Sequence, residues 1–74
     1  MLSLQQKLGR AVRRLRSDAD YSQESFAAAV GIHRTYMGLI ERGRVAVTIA
    51  TLQKIADALG MAASELLAEA EHER

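Results

Sequence analysis

Cysteine and proline are both absent from this 74-residue chain. Without cysteine, neither a disulfide nor a thiolate metal site can form. The two histidines, His33 and His72, stand far apart with no ligand-like neighbours, so no metal site is expected and no cofactor is implied. No apolar run approaches the roughly 20 residues of a membrane span. The opening MLSLQQKLGR also lacks the apolar stretch of a signal peptide, and the expected location is the cytoplasm. Without proline, no periodic segment is obliged to break or kink.

The length allows one domain, spanning residues 1–74, because domains rarely fall below about 50 residues. A domain of this size buries only about 60% of its unfolded surface. A partner chain is therefore the expected supplement to its stability. The formal net charge of +1 hides an asymmetry along the chain. Residues 1–44 carry eight Lys/Arg and four Asp/Glu, a net of +4, whereas residues 45–74 carry two and five, a net of −3. The first part suits a phosphate-rich partner and the second does not.

Apolar residues recur at three- and four-residue intervals throughout, so the expected class is all-α, a compact bundle of five helices. Leu4, Leu8, Ala11, Val12 and Leu15 define the first, over about 4–18, in which Gly9 costs roughly 1 kcal/mol relative to alanine. Ser22 is a good N-cap for the second, whose inward stripe is Phe26, Ala27 and Val30 and whose stop is Gly31. The third runs from about His33 to Arg42, with Met37 and Ile40 inward. Thr48 caps the fourth, with the stripe Ile49, Leu52, Ile55, Ala56 and Leu59. The fifth is expected over about 64–72, capped by Ser64 rather than Ala62, and its polar tail EAEHER is expected to fray.

Residues 22–42 hold two short amphipathic helices joined at one glycine. Their steep crossing needs a small residue at Ala27 and a residue free to take positive φ at Gly31. Phe26, Val30, Ile32, Met37 and Ile40 fill the remaining apolar positions. Such an arrangement is a helix-turn-helix, which presents its second helix to a DNA major groove. Arg34 and Thr35 lie in the first turn of that helix, opposite Met37 and Ile40. Arg34 can meet guanine through both guanidinium arms, and Thr35 can meet a base or a thymine methyl. Next to them stands His33, which is also placed to cap the helix. Gly38 leaves a vacancy through which DNA can approach. Nothing stands near His33 that argues for catalysis.

The pattern SQESFAAAVGI, then MGLIERG, then TLQKIADALG resembles the Cro and phage-repressor (XRE) family of helix-turn-helix regulators over about residues 8–67. IHRTYMGLIERGR followed by VTI is particularly similar to the controller proteins of restriction-modification systems. Arg34-Thr35-Tyr36, Ile40-Glu41-Arg42 and Thr48-Ile49 carry that likeness. The sequence departs from it at Val45-Ala46, where such proteins usually have Arg-Asn.

The resemblance implies a lambda-repressor-like domain that binds a double-stranded DNA operator as a homodimer, regulates its own operon, and blocks or recruits RNA polymerase. It further implies that Gln23 and Tyr36 contact the DNA backbone, together with Arg42, Arg44 and Thr51. Arg16 and Glu41 would form a structural ion pair. Leu66 and Leu67 of the fifth helix, with Met61 before it, are the candidate dimer contacts. No enzymatic activity is expected. Two other readings remain open: a DNA-binding antitoxin, and a protein-interaction module that has lost DNA binding.

Overall fold

The first four helices each begin after a residue whose side chain accepts one of their free N–H groups. In the computed structural model, which describes residues 1–74, α1 spans Leu4–Asp18, α2 Gln23–Val30, α3 Arg34–Glu41, α4 Ile49–Ala58 and α5 Ala63–Glu71. Ser3 caps α1, and Gln6 reaches back to the Ser3 N–H at 2.9 Å, closing a capping box. Ser22 caps α2 and Thr48 caps α4. At the turn between α2 and α3, Gly31 takes φ +87°, and the N–H groups of Gly31 and Ile32 both donate to the Ala27 carbonyl, at 2.9 and 3.0 Å. A side chain there would be strained, which is why glycine ends α2.

One apolar core draws on all five helices. Leu8, Ala11 and Val12 of α1 meet Phe26, Ala27 and Val30 of α2, Met37 and Ile40 of α3, Leu52, Ile55 and Ala56 of α4, and Leu66 and Ala70 of α5. Tyr21 packs on Phe26 with ring centroids 5.1 Å apart. The closest approach of helix backbones explains Gly9. A Cβ on that residue would lie 2.7 Å from the Glu41 carbonyl oxygen and would also strike that of Ile40. Gly9 is therefore not merely a weak point in α1; it lets the end of α3 rest directly on it.

Several expectations are corrected. Ile49 is 84% exposed and Leu4 is 53% exposed, so neither belongs to the core. Both stand at the first position of their helix, beyond the end of the buried stripe, where no neighbouring element covers them. The tail does not fray through Glu71: Ala70 is buried, and Arg14 of α1 pairs with Glu69 at 2.9 Å and Glu73 at 2.8 Å. These bonds hold the Arg14 pKa above its usual value. Ala62, not Ser64, precedes the first turn of α5, and the Glu65 carboxylate accepts the Ala62 N–H at 2.8 Å in place of a serine cap.

Candidate nucleic-acid interface

Two opposite faces of α3 are treated differently by the fold. Met37 and Ile40 enter the core, while Arg34, Thr35 and Arg42 are exposed and Leu39 is half-buried. With about 3.6 residues per turn, Thr35, Leu39 and Arg42 fall on one outward strip, and Arg34 borders it. Leu39 lies outside the apolar core and outside the set packed against it, and the sequence reading passed it over. Its signal was the spacing from Thr35, four positions earlier.

A buried carboxylate anchors the inward side. Glu41 is 8% exposed and accepts from Arg16 Nε at 2.6 Å, from Arg16 Nη2 at 3.0 Å and from Gln23 Nε2 at 3.2 Å. Those bonds join α1, α2 and α3 at one point. Hydrogen bonding to Glu41 raises the Arg16 pKa above its usual value, against the effect of its own burial. Arg16 also donates to the Tyr21 carbonyl at 3.1 Å. A bidentate geometry with a third donor satisfies the carboxylate, so its burial leaves no orphaned acceptor.

Gln23 thus has one amide N–H committed to Glu41, and an NH₂ group carries two. The second N–H remains available, together with the backbone N–H groups of the first turn of α2, where a helix favours an anion. His33 caps α3: its Nδ1 accepts the Thr35 N–H at 3.0 Å, which leaves Nε2 as the ring's outward donor. Arg34 pairs with Glu24 of α2 at 3.3 Å, with side chains 63% and 76% exposed. A pair so open to water contributes no more than about 1 kcal/mol and yields readily to a stronger acceptor.

The vacancy expected at Gly38 is not exposed. Gly38 is buried, and a Cβ there would lie 3.4 Å from Arg42 Nη1 and 3.6 Å from Gln23 Oε1. Helical side chains lean toward the N-terminus, so Arg42 folds back over the position four residues earlier. Tyr36 is half-buried against the core. Thr51 stands apart from the α3 group, tied to Thr48 by its N–H at 3.1 Å and by a hydroxyl contact of 3.1 Å.

After α3 the chain divides its side chains between environments. Arg44 is exposed, with its N–H held by the Leu39 carbonyl at 2.9 Å. Val45 packs against the core. Ala46 lines an apolar groove of about 260 Å³ with Leu4, Gln5, Leu8, Val47, Leu52 and Leu67. Val45-Ala46 therefore adds to buried and grooved apolar surface. Of the three expected dimer contacts, Met61 and Leu67 are half-buried, but Leu66 is 0% exposed and belongs to the monomer core, where α5 rests on its neighbours.

Two short helices crossing at a left-handed glycine, the second with a cationic outward face, define a helix-turn-helix domain. Comparison with known proteins agrees. The helix-turn-helix domain family matches residues 7–70, and the chain belongs to that family. It is 41% identical over 68 residues to the control protein C.MunI of a Mycoplasma species, covering 90% of this chain and 92% of that protein. Among solved structures it is similar to the restriction-modification controller protein C.AhdI from Aeromonas hydrophila. That likeness has 38% identity and a TM-score of 0.79, over 82% of this chain and 92% of the other. The clp gene regulator ClgR from C. glutamicum superposes with a TM-score of 0.91 at 30% identity, over 97% and 92% of the two chains.

Proposed function

We propose that the chain is a sequence-specific DNA-binding transcription regulator that occupies its operator as a homodimer and carries out no catalytic step. The observation that carries this reading is the outward face of α3. Arg34 offers a bidentate fork for guanine O6 and N7, with Thr35 and Leu39 beside it as an apolar surface for a thymine methyl. His33 flanks that set, while Gly38, buried beneath Arg42, is withdrawn from it. The backbone is held by Gln23 at the start of α2, by Arg42 and by Arg44, with lesser parts for Tyr36 and Thr51.

The likeness to control proteins supports a finer reading, in which the chain governs its own operon beside a restriction-modification system. It would act in the cytoplasm on polymerase access or recruitment. A two-fold dimer would read half-sites about 10 bp apart, centre to centre. Exposed Ile49 and Leu4, with the apolar groove that reaches Leu67, are the surface that a second copy would cover. Met61 would stand at its edge.

Gel-shift titration against the DNA upstream of its own gene, from 50 to 200 mM salt, tests the reading. Affinity is expected to fall by orders of magnitude across that range, as phosphate contacts release counterions. Absence of binding at the lower salt would refute it. Sedimentation of Leu67→Glu tests the dimer separately: the variant should sediment as a folded monomer at concentrations where the parent pairs.

A further inference from the structure

A second cationic feature lies off the helix-turn-helix. Leu2, Gln6, Arg10 and Arg13 line one wall of a cleft of about 380 Å³, and Glu41, Arg42 and Arg44 line the other. The first four fall on one face of the N-terminal segment that runs into α1. Four arginines thus line one space. The ion pairs of the molecule involve only Arg14, Arg16 and Arg34. Arg13, Arg42 and Arg44 consequently face the cleft without a carboxylate partner, and Arg10 donates only to the Arg74 carbonyl oxygen, at 2.8 Å. Glu41 cannot neutralise them, because both its oxygens are taken by Arg16 and Gln23.

Arg13, Arg42 and Arg44, gathered without a counter-charge of their own, repel one another and favour a bound anion. Guanidinium forks match phosphate geometry in particular. Arg42 fixes which phosphate. Its Nη1 lies beside Gly38 of the recognition helix, and the same side chain lines the cleft, so a nucleic-acid backbone that touches Arg42 continues onto α1. We infer that this cleft is a phosphodiester site, in which Arg10 and Arg13 hold DNA backbone beyond the base pairs that α3 meets. The inference rests on the DNA-binding reading above and extends the footprint past the helix-turn-helix.

Arg13 is the residue to remove, since Arg10 also fastens the chain's last residues. The DNA affinity of the parent, Arg13→Gln and Arg13→Lys is measured against salt on a long duplex containing the selected operator, and on one trimmed to the base pairs under α3. One lost phosphate contact lowers the slope of log Kobs against log salt by about 1, and the affinity by about fivefold near 0.15 M salt. Arg13→Gln should show that loss on operator and random long duplexes alike. Arg13→Lys should restore it, and the trimmed duplex should abolish the difference. Unfolding midpoints of all three proteins should agree.

An unchanged slope on the long duplex, with the parent binding normally, overturns the inference alone. So does titration of the cleft by millimolar inorganic phosphate without any change in that slope, which would make it a free-anion site. Failure of the parent to bind any duplex at 50 mM salt overturns the DNA-binding reading, and this inference with it.

Discussion

Both faces of α3 meet an arginine–glutamate pair, Arg16 with Glu41 on the inward side and Arg34 with Glu24 on the outward side, yet the two pairs are held by different kinds of force. On the inward side, Glu41 shares a buried, fully satisfied bond set with Arg16 and Gln23, and Gly9 lets two helix backbones touch. On the outward side, Arg34 makes one water-exposed pair with Glu24, and the Arg42 guanidinium lies near Gly38 without an ion pair. A charge fixed in place on one face and a charge free to exchange partners on the other are what separate Arg16, a structural residue, from Arg34, the proposed reading one. Arginine occurs in both settings, so residue type alone does not tell them apart.

The contrast breaks most visibly at Glu41. Glu41→Ala leaves the Arg16 guanidinium, 13% exposed, without its carboxylate, and unfolding in denaturant should show a loss of about 3–5 kcal/mol. For a domain of this size that is close to half of its stability. A loss below about 1 kcal/mol would mean that the junction is no more than a surface pair.

Gly9 and Gly38 should respond differently to alanine. Helix propensity favours alanine at both by up to about 1 kcal/mol. Gly9→Ala should nonetheless destabilise by about 1–3 kcal/mol, because its neighbours are backbone carbonyls that cannot move aside. Gly38→Ala should be neutral or stabilising, since only the ends of the Arg42 and Gln23 side chains face it. Thermal melts of the two variants check this; destabilisation of equal size at both positions would contradict it.

A smaller effect is expected at Leu39. Replacing single thymines of the selected operator by deoxyuridine should identify one whose methyl contributes about 0.8 kcal/mol to binding by the parent, the transfer value of one carbon group. In Leu39→Ala that contribution should disappear while the fold remains intact, because Leu39 lies outside the core. A methyl contribution that persists in the variant assigns the contact to another residue.

Local signals were legible in the sequence because they act over a few residues. Ser22, Gly31 and Thr48 mark helix ends through their own side chains or their freedom at φ. The three- and four-residue spacing of Phe26, Val30, Met37 and Ile40 places them inward whatever the partners are. Features that depend on how helices meet were not legible. Gly9 carries no local mark of the α3 carbonyls above it. Gly38 reads as a vacancy until Arg42 is seen folded over it. Leu66 and Ala70 are core only because α5 lies along α1, and Arg14 pins a tail whose composition suggests fraying. Ile49 fits the α4 stripe by period, but its helix begins past the core's edge. Arg16–Glu41 was legible through the family resemblance, which carries tertiary information that composition does not.

Base reading by α3 requires that its outward face meet base edges. Arg34→Ala, titrated at one salt concentration against the selected operator and a random duplex of equal length, tests this directly. The operator should lose about 1–3 kcal/mol of binding, at least several-fold in affinity, while the random duplex changes by less than about twofold. Equal losses on the two duplexes would make Arg34 a phosphate contact and not a reader of bases.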